Sequence, residues 1–209
     1  MSIINQLATS LNRRDEIPNQ ELAREIVQSK DKNAVKELVE NLINKNKNIQ
    51  ADCIKVLYEI GLEQPALIKD YVTDFTELLS SKNNRLAWGG MMALNHITNE
   101  NPETIFKLLP RLVDAANKGS VITRDNLVSI LIKLEAHKKY SGKAFLLLLE
   151  QMTTCPPNQI AMYAQNAMPV VNTKNNASFI KTLQKRLPDI ERETMKSRIL
   201  KVIKKVSND

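Results

Sequence analysis

Aromatic residues make up only 4% of this 209-residue chain, which also contains just 5 glycines, 8 prolines and 2 cysteines. So few aromatics and so little turn punctuation do not suit an all-β core, which needs aromatic and β-branched pairs and frequent turns. The two cysteines, Cys53 and Cys155, make no disulfide framework and read as reduced thiols. The longest uninterrupted apolar run, Ala144 to Leu149, falls far short of the roughly 20 residues that span a bilayer. Residues 1–14 carry no basic lead ahead of their apolar positions, so a secretory signal is not expected and a cytoplasmic location is. His96 and His137 have no Cys or His at ligand spacing, so no metal site and no cofactor are expected. Neither a phosphate-cradling glycine loop nor a nucleophile elbow occurs in the sequence.

What the chain does have is 43% apolar and 25% charged residues, the balance of an ordinary globular protein, and an internal period. Steps of 37 from Leu38 reach Phe75, Leu112 and Leu149, and from Val35 they reach Val72, Leu109, Leu146 and Leu183. Later in each unit Val56, Ala93, Ile130 and Ala167 align, as do Leu57, Leu94, Leu131 and Met168, and Ile60, Ile97, Leu134 and Val171. Within a unit the apolar residues recur at three and four, so each unit reads as two amphipathic helices. Turn-forming clusters at 44–48, 81–84, 117–120 and 155–158 split the pairs, while Pro65 and Pro102 stand where a first helical turn accepts proline. The expectation is an all-α solenoid of about five helical hairpins. It would form one domain over 1–209, with a cap at 1–31, four regular hairpins at 32–175 and a basic terminal hairpin at 176–209.

The stretch Phe106-Lys-Leu-Leu-Pro-Arg-Leu-Val, with Pro110 inside the first helix, precedes Val121-Ile-Thr-Arg-Asp-Asn-Leu-Val-Ser-Ile-Leu-Ile-Lys-Leu. Together they resemble the HEAT repeat, an armadillo-type α-helical repeat, and the likeness extends over about residues 32–206. Pro110 has no counterpart in the other first helices, and the basic residue expected early in the second helix occurs only as Arg85 and Arg124. The resemblance implies a non-enzymatic scaffold that binds a protein partner along the concave face lined by its second helices.

On that face the residues outside the core columns include Tyr58, Trp88, Gly89, Met92, His96, Arg124, Asp125 and Tyr163, a mixed polar and aromatic set taken as the candidate binding groove. Gly89 and Gly90 stand side by side inside a helix, where each costs roughly 0.5–1 kcal/mol relative to alanine. Gly90 shares a core column with Cys53 and Leu127, so its smallness is expected to admit a neighbouring helix, and Gly89 is expected to give a ligand access. Some DNA alkylation-repair glycosylases have a similar fold and use aromatic, Asp and Arg side chains there, types that Trp88, Arg124, Asp125 and Tyr163 supply. Met92, one turn after Trp88, stands where the resemblance would require a carboxylate, so such an activity is only a remote alternative and no catalytic residue is assigned.

Charge is segregated. Residues 1–101 carry 12 basic and 14 acidic residues, and residues 102–209 carry 18 and 9. Arg192, Lys196, Arg198, Lys201, Lys204 and Lys205 form a basic patch in the last hairpin, with Arg198, Lys201 and Lys205 spaced along one helix face. Such a patch either keeps a terminal repeat solvated or binds polyanion phosphates, which makes nucleic acid the alternative partner.

Overall fold

The computed structural model describes residues 2–208, and all the regular structure among them is helical. Eleven α-helices follow one another: α1 (Ile17–Ser29), α2 (Lys32–Glu40), α3 (Lys47–Glu63), α4 (Val72–Leu78), α5 (Asn84–His96), α6 (Pro102–Lys118), α7 (Val121–Glu135), α8 (Lys143–Thr154), α9 (Ile160–Ala167), α10 (Asn176–Arg186) and α11 (Glu193–Asn208). Consecutive helices pack as hairpins in α2–α3, α4–α5, α8–α9 and α10–α11, and a 3-10 turn (Ile3–Gln6) and α1 come before α2. The chain divides into two compact units, Met1–Leu127 and Val128–Asp209, with the division inside α7.

The asparagine-rich separators act as helix caps. The Asn46 side chain accepts from the amide of Asn48 at 2.9 Å to open α3, and Asn83 accepts from Arg85 at 3.1 Å to open α5. Asp31 does the same for α2, accepting from Asn33 and Ala34 at 2.9 and 3.0 Å.

In the first unit α3 packs against α1, α2 and α5, and α5 packs on α4. The periodic columns form its core: Leu38, Phe75 and Leu112 are fully buried, as are Val56 and Ala93. One helix starts later than its proline suggests. Pro65 opens two successive 3-10 turns, Pro65–Leu67 and Lys69–Tyr71, and α4 begins only at Val72. Ile68, between the turns, is fully buried, and its Cδ1 lies 2.6 Å from where a Cβ on residue 61 would stand. Gly61 thus leaves a notch that this isoleucine fills.

In the second unit α8 packs on α9 and α10, and α11 packs on α9 and α10. The period slips in α8. Phe145 and Leu148 are the buried residues, and Leu146, which the 37-residue step places in the core column, is 68% exposed. Five consecutive apolar residues, Phe145 to Leu149, give periodicity no face to select. The preceding turn decides, because Gly142 takes a left-handed φ of 78° and its amide donates to Glu135 at 2.8 Å while Ser141 donates to the same carboxylate at 2.9 Å.

Both cysteines are buried free thiols. Burial, with Asp52 and Glu37 adding to it, pushes the Cys53 thiol up to about 12. At pH 8 about one such thiol in ten thousand is ionised, so iodoacetamide is expected to alkylate Cys53 only through unfolding. Mass spectrometry over a urea series checks this: Cys53 labelling should track the unfolded fraction, and fast labelling of the native chain would contradict the packing described.

Candidate functional site

Three parts of the first unit enclose a cleft of about 410 Å³: the segment Ala8 to Glu16 that leads into α1, the exposed side of α3, and the first half of α5. Polar contacts distant in sequence hold its wall. The Asp52 carboxylate accepts from the Thr9 amide and from the Asn19 side chain, both at 2.8 Å, and Asn19 accepts from the Ala8 amide at 2.9 Å. Asn19 is 2% exposed, so this network is the interior fastening of the N-terminal segment.

Lys55 crosses the floor. Its ammonium meets Glu16 at 2.8 Å and Glu59 at 2.7 Å and lies 5.0 Å from the centre of the Tyr58 ring. Burial pulls its pKa down, but the Glu16 and Glu59 carboxylates more than reverse this and hold it above the ordinary lysine value. Burial likewise raises the Tyr58 hydroxyl, with Lys55 offsetting part of the shift. The Tyr58 and Trp88 rings touch at 5.7 Å between centroids, tilted by 49°. At the rim Arg13 grips Asp15 with two bonds of 2.9 Å, which holds that carboxyl below its usual range, and Asp15 also accepts from the Ile17 amide at 3.1 Å.

The residues expected in a groove separate. Tyr58 and Trp88 share this cleft. Gly89 is buried beneath it: a Cβ there would lie 2.6 Å from Ile54 Cγ1, so its bareness admits α3 and not a ligand. Gly90 is packed equally closely, 2.7 Å from the Phe75 carbonyl oxygen and 3.0 Å from Leu78 Cβ. Met92 and His96 are half-buried farther along α5, and Arg124 and Asp125 are half-buried on α7. Tyr163 is 1% exposed, an interior residue of α9, so its ring is no stacking platform.

In the basic patch Arg192, Lys201, Lys204 and Lys205 are exposed and make no ion pair among the described residues. Lys196 pairs with Glu193 at 2.8 Å, and Arg198 donates to Gln165. Two features were not legible as site or structure beforehand: the fastening of residues 8–16 onto α3, and Arg186. The latter counts as a surface charge by composition but is 6% exposed. Among the described residues no three His, Cys, Asp or Glu side chains gather as a metal group, and no helix is long and apolar enough to cross a membrane.

These hairpins make an all-α repeat solenoid of the armadillo and HEAT type. Its fold is similar to that of a designed armadillo repeat protein, with a TM-score of 0.61, 15% sequence identity and coverage of 98% of both chains. No family model and no curated protein matches the sequence.

Proposed function

We propose that this chain is a non-enzymatic scaffold that binds a segment of a protein partner in the cleft between residues 8–16, α3 and α5. The observation that carries the reading is a preorganised polar wall around an aromatic corner. Asp52 and Asn19 hold the wall through buried and half-buried bonds, and Lys55 is held by Glu16 and Glu59, so much of the surface is ordered before any partner arrives, which lowers the ordering cost of binding. The carboxylates of the cleft are engaged in ion pairs and amide contacts, and both histidines lie outside it, so it offers no nucleophile beside a free base. Armadillo-type repeats present rows of helices suited to extended segments.

The test is selection of a phage-displayed random dodecapeptide library on the immobilised chain. Peptides that enrich and then change the emission of Trp88, the single tryptophan, support the reading. No enrichment over several rounds would defeat it.

One observation favours nucleic acid as a second reading. Residues 128–209 hold 14 basic and 6 acidic residues, and Lys181, Lys185, Lys201, Lys204 and Lys205 stand exposed without ion pairs among the described residues. Labelled oligonucleotides followed by anisotropy at two salt concentrations decide it. If this reading holds, binding weakens steeply with salt, and reversing Lys201, Lys204 and Lys205 to glutamate lowers affinity at least about tenfold. Binding that is absent at low salt, or unchanged by the reversal, removes this face.

A further inference from the structure

The cleft's partner can be specified further, on the reading just proposed, by asking which lining groups are already spent. Seven charged side chains line it: Arg13, Arg14, Lys55 and Arg85 against Asp15, Glu16 and Asp52. Every acid is engaged internally. Asp15 is held by Arg13 and the Ile17 amide, Glu16 by Lys55, and Asp52 by the Thr9 amide and Asn19. Those contacts also consume Arg13 and Lys55.

What remains is one-sided. Arg14 and Arg85 are exposed, line the cleft, and have no ion pair or side-chain hydrogen bond among the described residues. The Trp88 indole, half-buried beside them, is a donor and presents an apolar face. A guanidinium has five donors and no acceptor, and its planar fork matches a carboxylate. A lysine- or arginine-rich ligand would have to compete with Arg13, Lys55 and the Thr9, Ile17 and Asn19 donors for these acids.

We propose that the cleft binds an acidic peptide segment, with carboxylates on Arg14 and Arg85 and a neighbouring apolar or aromatic side chain against Trp88. Nucleic acid fits the same donors less well, for two reasons. The Tyr58 and Trp88 rings are in contact and tilted, so no slot exists between them to sandwich a base. Residues 1–127 carry 16 basic and 17 acidic residues, so a long polyanion gains no long-range attraction from this unit, whereas one or two carboxylates need only the local pair of guanidinium groups.

The test selects the random dodecapeptide library in parallel on the native chain and on an Arg14→Glu/Arg85→Glu variant. Enriched peptides are then synthesised and titrated against Trp88 emission. Both arginines are exposed, and a circular dichroism melt confirms that the variant folds. Peptides from the native chain are expected to be rich in Asp and Glu beside an apolar or aromatic residue. They should bind the double variant at least about tenfold more weakly, and bind a Lys201→Glu/Lys204→Glu/Lys205→Glu variant as well as the native chain. Enriched peptides that are basic or uncharged, affinity unaffected in the double variant, or displacement of the peptide by an equimolar single-stranded oligonucleotide would each overturn the acidic-segment proposal and leave the scaffold reading standing. If nothing enriches, the scaffold reading falls, and this proposal falls with it.

Discussion

Replacing Arg186 by leucine is expected to lower stability by about 3 kcal/mol, the largest loss from any single charged residue of the second unit. Its guanidinium donates to the carbonyls of Met152 at 3.2 Å, Thr153, and Cys155 at 2.9 Å, the last turn and exit of α8. These carbonyls have no partner within their own helix, so one side chain from α10 satisfies the end of another helix. Its Nε also meets Asp189 at 2.8 Å. Leucine would fill some of the space but leave the Thr153 and Cys155 carbonyls without this donor and Met152 with only the weak thiol bond from Cys155 at 3.4 Å. Lysine keeps the charge but cannot fork across three carbonyls, so Arg186→Lys should cost about 2 kcal/mol. Urea denaturation monitored by circular dichroism measures both. A loss under about 0.5 kcal/mol for leucine, the size expected of a surface cation, would show that the α8 exit does not depend on this residue.

The second large effect falls on adjacent glycines that look alike in the sequence. Gly90→Ala sets a methyl group 2.7 Å from a backbone oxygen of α4 and 3.0 Å from Leu78 Cβ, and neither moves without shifting the helix. Alanine's better helix propensity returns about 1 kcal/mol, so a net loss of about 2 kcal/mol is expected, or roughly 4–8 °C in Tm. Gly89→Ala meets the branched side chain of Ile54, Cγ1 at 2.6 Å and Cγ2 at 3.2 Å, and a side chain yields by small shifts more readily than the backbone oxygen that faces Gly90, while the helix-propensity gain offsets part of the cost. Its net change should stay within about 1 kcal/mol. Thermal melts of the two variants side by side check the order, and an equal or larger loss for Gly89→Ala would contradict the packing of α5 against α4.

These glycines show how far the sequence carries. The second-helix columns Val56, Ala93, Ile130 and Ala167 are all fully buried where the period places them, because a helix that alternates apolar and polar residues at three and four has one face to bury. The same logic put Gly90 in the core. It put Gly89 toward solvent, because a column records which side of its own helix a residue is on and not how near the next helix lies. In α8 the pattern had no contrast to work with, and a glycine turn chose the face. Arg186 read as one more cation in a basic hairpin because its acceptors are backbone carbonyls 31 to 34 residues earlier, which no side-chain pattern reveals.

The candidate site was half legible for a similar reason. Tyr58 and Trp88 stand on α3 and α5 near the predicted groove positions, and they do meet. The rest of the cleft comes from residues 8–16, laid over α3 by a bond between Thr9 and Asp52 that spans 43 residues. Nothing local in Ala-Thr-Ser-Leu-Asn-Arg-Arg-Asp-Glu announces that docking. Once it is made, Arg14 comes to a wall where each acid already has an internal partner, while Arg14 itself has none among the described residues.

The measurement that bears most directly on this account is hydrogen–deuterium exchange of the chain with and without a saturating peptide from the library selection. The account predicts slowed exchange in residues 8–16, 47–58 and 84–92, with rates in α11 (Glu193–Asn208) unchanged. Protection confined to α11, with the cleft exchanging as it does in the free chain, would contradict it.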